Sequence, residues 1–203
     1  QVLLWDEKDE AESWSDKAFF ETAFLDAAEW KAHWINPEDP VLEEAYQPAS
    51  YLKKEFSLEK TGRARLYITA HGLYEAHING QRVGDQVLAP GTSQYDLRLQ
   101  YQTYDVTDLL RAGENELFFS LADGWYRGSV GAWGLTCQYG AETKLLAQLE
   151  ITLEDGSVQM IGTDSSFLWS NEGPIRFADH KDGEIVDARW ETGASWGGAR
   201  VTA

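Results

Sequence analysis

The chain has 203 residues, with 17 Lys and Arg against 34 Asp and Glu and a formal net charge of −17. That length suits one domain plus an extra piece, and an apolar share of 43% supplies a core. A surface this acidic repels phosphate backbones and anionic bilayers, so nucleic acid and membrane are set aside as partners.

Cys137 is the single cysteine. It rules out an intrachain disulfide and a cysteine zinc cluster, and it fits a cytoplasmic protein without requiring one. No apolar run is long enough to span a membrane and no signal peptide is visible. The chain opens on Gln1 rather than Met, as a piece of a longer protein would. His33, His71, His77 and His180 show no ligand spacing. His71 and His77 would share one face of a strand, which we read as coincidence.

Residues 1–25 contain "VLLW" and "AFFETAF", two expected strands joined by an acidic turn region. Two strands are not a stable unit, so this stretch is expected to be the tail of a preceding β module. Residues 26–48 form an expected linker. Trp30 and Trp34, four apart, would share a face of a helical turn there. "NPEDPVLEEAYQP" carries three of the five prolines and reads as connector.

From Ala49 to about Trp169 the pattern is that of strands. "RARLYITA" alternates polar and apolar residues. "LYEAHI" runs into Asn79-Gly80 and "KLLAQLEITLEDGSVQMIG" turns at Asp155-Gly156, both strong hairpin signals. "NELFFSLA" is nearly continuous in apolar character, as expected of a strand buried on both faces. Thr107 is expected to cap a single helical turn closed near Gly113. Strands at this spacing imply an all-β sandwich over 49–190. The glycine-rich 191–203 reads as a C-terminal connector.

Carboxylates are abundant, but none are visibly paired for general acid–base work, and most sit at turns or on alternating polar positions. No nucleophile elbow and no phosphate-cradling glycine loop appears. The anomaly is "LADGWYRGSVGAWG", Leu121 to Gly134, which packs three large rings and an arginine among four glycines. Aromatic faces at a sandwich edge suit the C–H faces of a sugar, with nearby charged groups taking the hydroxyls. Asp123, Trp125, Tyr126, Arg127 and Trp133 supply that set, and the turn after Pro90 adds Tyr95, Asp96 and Arg98. The same rings could equally pack under a neighbouring loop or domain. Asp side chains and carbonyls in such loops could also hold Ca²⁺, with ligands the sequence does not identify. No cofactor is required.

The run "ARLYITAHGLYEAHINGQRVGDQVLAPGTSQYDLRLQYQTYDVTDLLRAGENELFFSLADGWYRGSVG", with "DGEIVDAR" at 182–189, closely resembles the N-terminal β-sandwich region of bacterial α-L-rhamnosidases, the family 78 glycoside hydrolases. "WDEKDEAESWSDKAFFETAFL" is similar to the last strands of the fibronectin-type-III-like module that precedes it in these enzymes, and "EWKAHWI" resembles the joint. The resemblance implies a jelly-roll (galactose-binding-like) β-sandwich with a partial N-terminal β module. It implies a parent protein that removes terminal α-L-rhamnose from glycosides. Acidic residues of a separate (α/α)₆ barrel would do the chemistry, so this piece would hold no catalytic residue. Its partners would be the catalytic domain of the same chain, which the sandwich braces, or L-rhamnose and rhamnosides if it serves as a binding module, with calcium touching the sugar. The resemblance points to Asp96, Asp123 and Trp125 for that second role.

Overall fold

A computed structural model describes residues 1–18, 20–37 and 47–202. The chain divides into two units, Gln1–Trp30 and Lys31–Ala203.

In the first unit "VLLW" does pair, but with the residues just after it. Glu12 N donates to Leu4 O and Ser15 N to Val2 O, each at 2.9 Å. Asp6 Oδ1 closes the acidic turn by accepting from the amides of Lys8 and Glu10. The expected second strand does not form in the described residues of "AFFETAF". Phe20 is fully exposed there, and Phe24 packs edge-on against Trp30 with ring centroids 5.1 Å apart. The unit ends in a 3₁₀ turn, Ala27–Glu29, with a capping box: Asp26 accepts from Ala28 N, and Glu29 reaches back to Asp26 N.

The second unit is the expected all-β sandwich. One sheet comprises β1 (Trp34–Asn36), β3 (Arg63–His71), β6 (Gln102–Asp105), β8 (Lys144–Thr152), β9 (Val158–Gly162) and β14 (Arg200–Thr202). Its order is β14-β1-β8-β3-β6, with β9 also on β8. The other comprises β2 (Ser50–Leu58), β4 (Leu73–Ile78), β5 (Gln81–Arg82), β7 (Gly113–Ala122), β10 (Leu168–Ser170) and β13 (Gly197–Gly198), in the order β13-β10-β2-β7-β4-β5. A two-stranded ribbon, β11 (Ile175–Asp179) and β12 (Gly183–Val186), stands beside them. Every pairing is antiparallel.

Alternation builds the core. Leu66 and Ile68 on β3 and Leu145, Leu149 and Ile151 on β8 are buried against Leu52 on β2, Ile78 on β4 and Leu117, Phe119 and Leu121 on β7. Both hairpin signals hold: Asn79 (φ 53°) and Gly80 (φ 78°) turn β4 into β5, and Gly156 (φ 81°) turns β8 into β9.

Several expectations are corrected. "NELFFSLA" alternates between buried and half-covered residues, because β7 has the core on one face only. β3 and β8 are the strands covered on both faces: the outward Tyr67 and Thr69 of β3 are buried, and the outward Gln148 of β8 is fully buried and accepts from the amides of Lys31 and Ala32. Trp30 and Trp34 share no helical turn, since Trp34 begins β1. The connector 26–48 therefore contains a strand, and so does 191–203, because β14 pairs with β1. The prolines of the first connector fall partly outside the described residues. His71 and His77 lie in different sheets, separated by a bend at Gly72. The single helical turn is 3₁₀, Thr107–Leu109, with Val106 rather than Thr107 at its cap. Thr107 instead accepts from Ala64 N and donates to Asp105 Oδ1.

Candidate functional site

The aromatic, glycine-rich stretch follows β7 directly. Asp123 leads into one helical turn, Gly124–Arg127, closed by Gly128 N donating to Gly124 O. The glycines are there for contact as much as for turning. A Cβ on Gly128 would collide with the Asp179 carboxylate, and one on Gly124 (φ 54°) would lie 2.5 Å from Leu73 Cγ.

The predicted site residues separate into three groups. Asp123 and Arg127 are buried and bound to each other, with Arg127 Nε 2.7 Å and Nη2 2.6 Å from Asp123 Oδ1. Trp125 and Tyr126 are half-buried and already packed. Trp125 lies on His180 at 4.3 Å, and Tyr126 stacks on His71 at 4.3 Å. Trp133 is 89% exposed, and Asp96 and Arg98 are exposed in the turn after Tyr95. Tyr95 ties that turn to the stretch, its ring 5.3 Å from Tyr126 and 4.9 Å from Tyr139.

A stack of rings therefore underlies the loop. Trp34 sits 4.6 Å from the other side of His71, so the imidazole is held between indole and phenol. Burial, with Lys144 adding to it, holds the His71 pKa down at about 4, and its Nδ1 has no hydrogen-bond partner in the structure. Burial raises the Tyr126 phenol, helped by the charges of Asp96 and Glu142, and it raises Tyr95 to about 12 with help from Tyr139.

The ribbon β11–β12 clasps the loop from the other side. Asp179 Oδ2 accepts from Ser129 N at 2.8 Å, while its Oδ1 accepts from the amides of Lys181 and Asp182. Ser129 Oγ donates to Asp182, and Lys181 Nζ donates to Gly131 O at 2.7 Å. Sequence reasoning missed His71, Tyr139, Asp179, His180 and Asp182 as partners. The one local signal is the polar run "DHKDG" at the ribbon's turn, three charges and a histidine where a short turn needs none.

The concavity that remains beside Trp125 is open, with a volume of about 370 Å³, and is lined by Thr92, Trp125, Val130, Gln138 and Tyr139. Asp123 and Arg127 are not part of its lining. Among the described residues, no group of three or more His, Cys, Asp and Glu side chains is gathered to hold a metal.

The Alpha-L-rhamnosidase N-terminal domain model matches residues 59–201. A similar protein, an alpha-L-rhamnosidase of Formosa agariphila, is 39% identical over 199 residues, covering 94% of this chain but 21% of that protein. The native α-L-rhamnosidase structure from Aspergillus terreus has a TM-score of 0.90 at 39% identity, covering 97% of this chain and 24% of that one. The Streptomyces avermitilis alpha-L-rhamnosidase complexed with L-rhamnose has a TM-score of 0.73 at 45% identity, covering 77% of this chain and 16% of that one. This chain thus spans about a fifth of the length of the curated relative it matches in Formosa agariphila. With two facing antiparallel sheets and a family match over most of its length, the chain belongs to the alpha-L-rhamnosidase N-terminal domain family.

Proposed function

We propose that this chain is the non-catalytic N-terminal part of a longer α-L-rhamnosidase that removes terminal α-L-rhamnose from glycosides. In this reading the sandwich braces the catalytic (α/α)₆ barrel of the same polypeptide. The observation that carries it is the internal commitment of the loop's chemistry. Asp123 and Arg127 bind each other, and Asp179 binds the loop backbone. Such groups hold a scaffold rigid and are not free to take sugar hydroxyls. Glycoside hydrolysis also needs two carboxylates across a bound sugar.

A second reading is favoured by the concavity at Trp125, where two rings meet Thr92 and Gln138. It would take L-rhamnose, with Ca²⁺ assisting, as a carbohydrate-binding module does. Calorimetric titration of residues 1–203 with L-rhamnose, in calcium and then in chelator, separates the two. The bracing reading expects no heat in either buffer and no rhamnoside turnover by the isolated chain. Binding that Trp125→Ala abolishes would favour the sugar site, and its loss in chelator would make that site calcium-assisted.

A further inference from the structure

We infer that the hairpin around Trp133 is the anchor by which this chain grips the rest of its polypeptide, with the indole seated in an apolar recess there. The inference rests on the bracing reading above. Val130 and Leu135 exchange backbone hydrogen bonds of 2.9 and 3.1 Å, and the four residues between them are Gly131, Ala132, Trp133 and Gly134. Both glycines have positive φ, 65° and 60°, which lets the tip turn tightly. Trp133 and Leu135 are exposed on it, 89% and 54%.

A solvated tryptophan on a floppy loop would be unremarkable, but this hairpin is held at its base from several directions. Cys137 N donates to Arg127 O at 2.8 Å, Lys181 caps Gly131 O, and Asp179 fixes Ser129 N. A large ring presented on a pre-ordered support is the form that interface anchors take, because little freedom is lost on docking.

The occupant follows from the tip's chemistry. Its four residues carry no polar side chain except the indole N–H, and the one charged side chain that reaches the tip, Lys181, is bound to Gly131 O, so the tip is a poor match for sugar hydroxyls. A second copy would bring another net charge of −17 against the first. The rest of a longer polypeptide has neither handicap. The chain spans 21% of its relative in Formosa agariphila and 24% of the Aspergillus terreus structure, so most of such a protein would lie within tethered reach.

Hydroxyl-radical footprinting with mass spectrometry tests this on residues 1–203 and on the longer polypeptide that contains them. Trp190, 42% exposed, is the internal reference. A desolvated anchor predicts that Trp133 oxidises about tenfold more slowly in the longer polypeptide, with Trp190 unchanged. Trp133→Ser, exposed and so neutral to folding of this unit, is expected to split the longer polypeptide's thermal transition in two. Trp133 protected in residues 1–203 by L-rhamnose, or by raising their concentration, would overturn the inference. If other residues of this domain gain protection in the longer polypeptide and Trp133 does not, the inference falls and bracing stands. If none gains protection, both fall.

Discussion

Arg127 and Asp123 lie one helical turn apart and aim two guanidinium nitrogens at a single carboxylate oxygen, Oδ1, with both side chains buried. Removing one member strands the other's charge away from water. Arg127→Ala is expected to lower stability by about 3 kcal/mol, and the double change with Asp123→Ala by less than the sum of the singles. Urea unfolding of the three variants measures the coupling.

Gly128 has no room for a side chain, because its Cβ would occupy the space of the Asp179 carboxylate. Gly128→Ala should cost about 2 kcal/mol by overpacking and should free Ser129 N from Asp179. A lower melting temperature together with faster exchange of the Ser129 amide is the expected signature.

Asn79 supplies a turn and a junction at once. Its Nδ2 donates to Leu109 O and to Asn115 Oδ1, and its Oδ1 accepts from Glu116 N, all within 3.0 Å. Asn79→Gly keeps the positive φ and loses those bonds, whereas Asn79→Ala loses both. The alanine variant should be destabilised by about 3 kcal/mol and the glycine variant by less, as read from urea midpoints.

The His71 imidazole is held between Trp34 and Tyr126, with Tyr95 at its edge and Lys144 nearby, and its pKa lies at about 4 rather than the ordinary 6.5. The folded state therefore favours the neutral ring. Its contribution is intact above pH 6.5 and is lost as pH falls toward 4. His71→Phe should flatten the pH dependence of the urea midpoint across that window. Asp105 is held at about 2, chiefly by the Thr107 hydroxyl, and its loss comes lower, between pH 3.8 and 2. The two windows separate in one titration series.

Local chemistry was legible in the sequence and distant pairing was not. Asn79-Gly80 and Asp155-Gly156 declare their turns because positive φ depends on the residues themselves. The strands β1 and β14 are three residues each, and what makes them strands is pairing with distant segments, β14 on β1 and β1 on β8, a partnership no local pattern encodes. The same division runs through the candidate site. Asp123, Trp125, Tyr126 and Arg127 stood out as a cluster within one short stretch. The groups that decide their condition, His71, Tyr139, Asp179 and His180, arrive from three other segments of the fold. A charged pair looks available to a ligand in a sequence, and only the folded chain reveals that the two charges answer each other.

The chain joins the sandwich through Lys31–His33, held by Gln148 and Thr163, and runs into β1, where Trp34 lies opposite Thr202 and Asn36 opposite Arg200. The first residue of one strand thus faces the last residue of the other. Tension applied through the chain on either side of this unit would pull both strands away from the same corner. The load would fall on one rung at a time, as in a zipper, instead of on all rungs at once, as in shear. The sandwich would then be a weak link to traction along the backbone while staying firm against a push on its faces, where Leu66, Leu149 and Phe119 are packed.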